Sequence, residues 1–368
     1  VAQLRLADLR FTPSDLFPAP VAFDQAAIDL RLQLSPFRLD LGQVLLSRVA
    51  GAAPGQDPLQ FELNGQIIAS SDGLIGRFDG VSPQLSIDQI MALWPRQVIP
   101  MTRAWLTKNW QSGQVRDARL SLRVRPGGRP VVAVGFDFSD VALRVIPTLP
   151  PITSARGYAM IERDGLSVVV DAGGLAAPKG GWVDLAGSVF QVRDTRQKAA
   201  MAHVDLRSES TVTAALSVLD LPPFGYLSKA SLPVDLAQGR ATLAVGLDFP
   251  LAKRLGPGDL HLQGGGVLRD VLSTQLVAGR SLRADEMTIA LNDAGLELAG
   301  AGWFDDLPLQ AKWRLGFGAA SGGKSRLEGK VNLSPLAMRT LGIELPNGAL
   351  RGAAPGDLVL DFAPQKPP

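Results

Sequence analysis

The sequence predicts a mainly β chain: an elongated, curled antiparallel sheet whose apolar face forms a groove in repeating units, with a few short helices. Three observations predict this. Apolar and polar residues alternate with period two along most of the 368 residues, in about twenty runs of strand length. Glycine-rich or Asx turns separate the runs, which implies hairpins and meanders. Helical signals are few and short, too small to cover a sheet.

Taken in chain order, "AIDLRLQL" sets Ile28, Leu30, Leu32 and Leu34 on one face, with Asp29, Arg31 and Gln33 on the other. "SIDQIMALW" is a short helix with Ser86 as N-cap, and "PMTRAWLTKNW" a second one opened by Pro100. The second stacks Met101 over Trp105 and Leu106 over Trp110 at i,i+4 spacing. "ARLSLRV" and "VVAVGFDF" return to alternation through Leu120, Leu122, Val134 and Phe136. "RDGL" (163–166) is a turn, and "PPFGYLSKA" a Pro-led helix. "TLAVGLDF" alternates through Val245 and Leu247, and "MTIALN" through Ile289. "NDAGL" (292–296) is a turn, "SGGK" (321–324) another, and "SPLAMRTLG" a helix with Ser334 as cap and Gly342 as stop. A weak repeat of about a hundred residues runs through these pieces. It divides the chain into 1–84, 85–250 and 251–368, with the Trp-containing helices in the middle part.

Composition narrows the function. The chain is 46% hydrophobic and 20% charged, enough to bury surface. Lys and Arg number 37 against 35 Asp and Glu, which gives no field for nucleic acid. The densest basic stretch, Arg116 to Arg129, alternates with apolar residues and reads as the wet face of a sheet. The absence of cysteine excludes disulfides, thiolate zinc sites and thiol nucleophiles. No apolar run reaches the roughly 18 residues of a membrane helix. The chain opens in mid-strand at Val1 and reads as a middle piece of a longer protein, with any anchor expected outside it.

An apolar sheet face needs a cover. A transmembrane barrel is disfavoured by two tyrosines and 27 prolines. Helices are too scarce, which leaves a second sheet or a trough filled by a ligand with an apolar body. At this point the residues carry a resemblance. "WPRQVIPMTRAWLTKNWQSGQVRDARLSLRV" (94–124) resembles the segment of YhdP-type AsmA-like proteins in which a Pro-led Trp helix leads into a glycine and an alternating strand. "GLSVVVDAGGLAAPKGGWVDLAGSVFQV" (165–192), "LDLPPFGYLSKASLPVDLAQGRATLAVGLDFPL" (219–251) and "GLELAGAGWFDDLPLQAKWRLGF" (295–317) are similar to the rest of that central region. The resemblance implies repeating β-groove units of a bridge-like lipid transfer protein of Gram-negative bacteria, periplasmic and anchored in the inner membrane. It implies phospholipid or another acyl-chain lipid as ligand, membranes at the ends of the full-length protein, envelope proteins as further partners, and no enzyme activity or cofactor. The groove residues expected to touch acyl chains are Leu122, Val134, Phe136, Leu216, Val245, Leu247, Ile289, Leu298, Leu315 and Leu360. Met101, Trp105 and Trp110 form a rim helix that closes or gates the trough. The alternative is an envelope scaffold with a closed, dry β core.

Other motifs lose to blander readings. "GAASGGKS" (318–325) fits the phosphate-loop pattern, but a nucleotide cradle needs a helix after the loop. "RLEGKVNL" alternates as a strand instead, so Lys324 and Ser325 are expected at a hairpin tip. "GGG" (264–266) reads as a bulge or bend. His203 and His261 are sheet-face residues without a second histidine at metal-ligand spacing. The adjacent carboxylates Asp285, Glu286, Asp305 and Asp306 point to opposite faces of strands and make no acid/base pair. "GRSLR" (279–283) lacks the closing glycine of a serine nucleophile motif.

Overall fold

Each alternating run pairs with its neighbour in the chain. In the computed structural model, strands take 64% of the described residues and helices 11%, and 19 strands join one antiparallel sheet. The structure describes all residues except 12–16, 18–19, 49–58, 95, 97–99, 230–231, 253–254, 257, 278, 318–323, 341, 344–345, 347–350 and 363–368. Two compact units divide the chain. Unit 1 comprises Val1–Val145, Pro151–Gly173 and Val189–Ala200; unit 2 comprises Ile146–Pro150, Gly174–Ser188 and Met201–Pro368.

Unit 1 is built on β1 (Ala2–Phe11), β2 (Val21–Leu34), β3 (Phe37–Arg48), β4 (Leu59–Ser70), β5 (Gly73–Ser86), β6 (Trp110–Val124), β7 (Val131–Leu143), β8 (Ile152–Glu162) and most of β9 (Gly165–Ala176), with β11 (Ser188–Val192). Helices α1 (Ile87–Leu93) and α2 (Pro100–Asn109) bridge β5 to β6. Unit 2 holds β10 (Trp182–Asp184), β12 (Met201–Thr211), β13 (Gln238–Pro250), β14 (His261–Ser273), β15 (Leu282–Asn292), β16 (Gly295–Phe304), β17 (Leu307–Gly316), β18 (Ser325–Leu333) and β19 (Ala354–Phe362). Its helices α3 (Val212–Leu219) and α4 (Tyr226–Lys229) join β12 to β13, and α5 (Pro335–Thr340) follows β18.

Local chemistry explains the ends of these elements. Ser86 and Gln89 form a reciprocal capping box at the start of α1. Ser334 accepts from the Ala337 amide at α5, and Gly342 stops the chain there at φ 77. Arg163 and Asp164, both with left-handed φ, make the two-residue turn between β8 and β9. Asn292 Oδ1 accepts from the Ala294 and Gly295 amides, an Asx turn that joins β15 to β16.

Antiparallel neighbours place alternate connections at opposite ends of the strands. In unit 1 one rim carries α1 and α2, and the other carries the short turns β2–β3, β4–β5 and β8–β9. In unit 2 one rim carries α3, α4 and α5, and the other the β13–β14, β15–β16 and β17–β18 connections. Near each helical rim the strands bulge by a recurring device. Asp140 (φ 55), Ser154 (φ 53) and Asp270 (φ 54) each lie beside a glycine on the adjoining strand, Gly113 (φ 121), Gly173 (φ 125) and Gly239 (φ 126). Aspartate tolerates the left-handed region better than most residues, and a bulge there bends the strand.

Three sequence expectations change, and of the bulge or bend expected at "GGG" the bulge is absent. The segment "VTAALSVL" carries β-branched residues and no Pro-led start, yet it folds as helix α3 because tertiary contacts override its propensity. Thr211 caps it by accepting from Ala214 N, and buried Ser217 donates to Lys179 O. Leu216 therefore sits on a helix and not on a strand. Helix α2 ends at Asn109, so Trp110 opens β6 and packs against the buried cluster Phe138, Val141 and Ala155 rather than standing on a rim helix. Asp305 and Asp306 form the turn between β16 and β17; Asp305 accepts from Ser281 N at 2.7 Å and Arg280 Nη1 at 2.9 Å. "GGG" pairs in register without a bulge: the missing side chains let Ala244 O and Thr242 O approach to 2.2 Å from where a Cβ would stand on Gly264 and Gly266.

Candidate functional site

The candidate site is the apolar face of the sheet. Directly paired residues in an antiparallel ladder share a face, so the register lays apolar rows across the strands of each unit. In unit 1 a row runs Leu4, Ile28, Val44, Leu63, Gly80, Leu120, Val134, Ile161. Leu122 pairs with Phe78 and Val132, and Phe136 with Ala159, on that same face. In unit 2 one row runs Leu243, Gly266, Ile289, Leu298, Trp313, Leu327, Leu360. A second runs Leu206, Val245, Gly264, Leu291, Leu296, Leu315. The nine expected strand residues thus fall on the apolar face of their unit, and Leu216 falls off it. Trp313, Leu327 and Leu120 belong to the same rows; their alternation was visible, but their place between the others depends on register.

Aromatic and aliphatic side chains fold over the glycines in these rows. The Phe78 ring lies against Gly65, Phe61 against Gly80, and Leu243 against Gly266, each within 2.7 Å of where a Cβ would stand. The rows therefore stay apolar across their gaps.

What covers this face differs from rim to rim. At the helical rim of unit 1, Val21, Phe23 and Leu59 are buried with Leu9, Leu46, Leu85 and Leu93 packed around them. Towards the turn rim the same face is open: Leu32 is 50% exposed, Leu34 76% and Leu74 57%. In unit 2, Ala241, Ala284 and Leu307 are buried near the helical rim, whereas Leu360 is 41% exposed. Within the rows Val44 and Val245 are each only 8% exposed, so the cover of this face is partial.

The opposite face is wet and charged. Glu297 pairs with Lys312 and Arg314, and Arg314 reaches Glu328. Arg123 and Ser121 hold Asp79 and lower its pKa, the Ser121 hydroxyl contributing most. Exposed pairs of this kind add at most about 1 kcal/mol each; their effect is to keep this face in water.

The histidines lie on this polar face. His203 Nδ1 is 2.8 Å from Asp248 and its Nε2 is 3.2 Å from Asp205, while His261 Nδ1 is 2.9 Å from Asp293. Asp248 pairs with both His203 and His261 across the ladder. The hydrogen bond to Asp248 raises the His203 pKa above 6.5, and that to Asp293 raises the His261 pKa. A raised folded-state pKa stabilises fully below the unfolded value of 6.5 and is lost as pH climbs through the folded value. Unit 2 is therefore expected to melt at lower temperature at pH 8.5 than at pH 6, and His203→Gln to flatten that slope. Thermal unfolding across this range checks it, and an unchanged slope in the variant would count against it. No group of three or more His, Asp or Glu able to hold a metal occurs among the described residues.

Residues 318–323 of the phosphate-loop match lie outside the described residues. Its flanks are antiparallel strands with Leu315 paired to Ser325, and Gly316 N donates to Lys324 O. Strand β18 follows where a nucleotide cradle requires a helix. Lys324 is exposed beside this hairpin end.

Neither family models, curated proteins nor solved structures yield a match to this chain. Function therefore rests on the face itself.

Proposed function

We propose that the apolar face shields the acyl chains of a phospholipid or similar lipid, and that the chain is a non-enzymatic segment of a periplasmic bridge carrying lipid between inner and outer membranes. The observation that carries this reading is the run of apolar rows left uncovered towards the turn rims. Exposing one methylene to water costs about 0.8 kcal/mol, so an acyl chain of about fifteen costs on the order of 12 kcal/mol. Apolar rows that continue from strand to strand lower that cost along a path without any bond being broken. The glycine-filling side chains and the ion-paired reverse face support the same division of labour: one side for lipid, one for water. The resemblance to YhdP-type AsmA-like proteins is the ground for the periplasmic setting and the two membranes.

A scaffold with a closed, dry core is the competing reading, and the exposed Leu32, Leu34 and Leu74 on the apolar face of unit 1 weigh against it. Protein purified without added lipid is expected to carry phospholipid-sized adducts in native mass spectrometry. A spectrum of bare protein alone, from cells with normal phospholipid content, sinks the transfer reading.

A further inference from the structure

The basic stretch that ends at Arg129 gathers charge at the turn rim of unit 1. Between Arg119 and Val131 the sequence has four arginines and no carboxylate. The β6–β7 turn, closed by Gly128 N donating to Arg125 O at 3.2 Å, carries Arg125 and Arg129, both exposed. One strand over, the register sets Arg77 directly opposite Arg123 on the polar face, and like charges so placed repel. Asp79 answers Arg123 alone, accepting from its Nη2 at 2.8 and 3.0 Å. Arg77, Arg125 and Arg129 have no ion-pair partner among the described residues. Of the neighbouring turns, one brings Asp72; the other brings Glu162 and Asp164, which Arg163 and Arg196 already engage. The strands and turns of this rim, 28–40, 67–78, 120–134 and 158–168, are described throughout.

An apolar row ends at the same turn. Leu32, Leu39, Ile67, Gly76 and Val124 pair strand to strand, and Val124 directly precedes Arg125. Leu74 is 57% exposed here and Val132, paired with Leu122, 40%. A ligand that satisfies both features has an apolar body and an anionic head. We propose that Arg125 and Arg129 bind the phosphate of a lipid whose acyl chains lie on the unit 1 rows, and so favour anionic lipids over zwitterionic ones. Guanidinium groups fork onto phosphate oxygens, and the unanswered charge of Arg77 raises the positive potential of the rim. A choline headgroup brings its own cation, which these arginines repel. The proposal rests on the reading of the apolar face as a lipid surface and adds the choice of headgroup.

Native mass spectrometry tests it on the full chain, incubated with vesicles of equal parts phosphatidylglycerol and phosphatidylcholine and then separated from them. Phosphatidylglycerol is expected to be enriched on the protein about threefold or more, and less so at high salt. The double variant Arg125→Gln, Arg129→Gln is expected to carry as much lipid in total, at close to the vesicle ratio. Its circular dichroism should match wild type, since both side chains are exposed. Arg77→Gln should weaken the preference by a smaller factor. Lipid carried in the vesicle ratio by the wild type overturns the inference and leaves the lipid reading of the face standing. A preference that the double variant keeps does the same. Wild-type protein bare of lipid overturns both. Inorganic phosphate alone tests the other source of the same chemistry. Phosphate bound by wild type and lost in the double variant, with no enrichment among lipids, marks a free-anion site and overturns the headgroup assignment.

Discussion

Replacing Ile289 with aspartate is expected to strip bound lipid from the protein while leaving it folded, whereas Val245→Asp unfolds unit 2. Ile289 lies mid-row between Gly266 and Leu298 and is only half-buried. A carboxylate there is reached by water, so the stability cost stays near that of a surface change, about 0.5–1 kcal/mol. For lipid the consequence is larger, because a charge in an apolar row demands hydration where an acyl chain should lie. Val245 is only 8% exposed. An aspartate buried there has no partner for its charge and costs about 3 kcal/mol or more. Guanidinium unfolding and native mass spectrometry on the two variants make the comparison. If both collapse together, the apolar face is a packed core and the lipid reading fails.

Gly113→Ala is expected to cost at least about 2–3 kcal/mol, an unusual loss for one added methyl group. Gly113 has φ 121, and a Cβ built on it stands 2.6 Å from Val141 Cα, a backbone atom that no rotamer change can move. Its partner across the bulge, Asp140, sits at φ 55. Asp140→Gly should be nearly neutral there, and Asp140→Val should lose about 1–3 kcal/mol, because a β-branched residue fits the left-handed region poorly. The same pattern at Gly173 with Ser154, and Gly239 with Asp270, predicts matching penalties in β9 and β13. Denaturant midpoints and amide exchange in β6 and β7 measure the effect. A Gly113→Ala shift below about 0.5 kcal/mol would show that the bulge relaxes freely, contrary to this geometry.

Much of the architecture was legible because its signals are local. "AIDLRLQL", "TLAVGLDF" and "MTIALN" each declare an apolar and a polar face without reference to any neighbour, and period two places their residues correctly. Ser86, Ser334 and Gly342 mark helix ends through bonds made within one turn of chain, and Pro100 through its fixed φ and missing N–H. "GAASGGKS" was separable from a nucleotide loop for the same reason: the alternation of "RLEGKVNL" excludes the helix that phosphate binding needs.

What escaped depends on contacts distant in sequence. Helix α3 is held by Lys179 and Gly180, some thirty residues upstream, against the strand preference of its own valines and threonine. Trp110 belongs to a cluster formed with Phe138, Val141 and Ala155, which no i,i+4 argument reveals. The bulges at Asp140 and Asp270 look like polar residues in ordinary strands until a glycine on the next strand is set beside them. The sequence by itself determined which residues share a face, since side-chain alternation is a property of one extended strand. Only the tertiary structure decided the register that aligns those faces into rows and the part of each row left uncovered. Pairing and coverage are set by which strand and helix ends meet across the sheet, and a single strand carries no record of that.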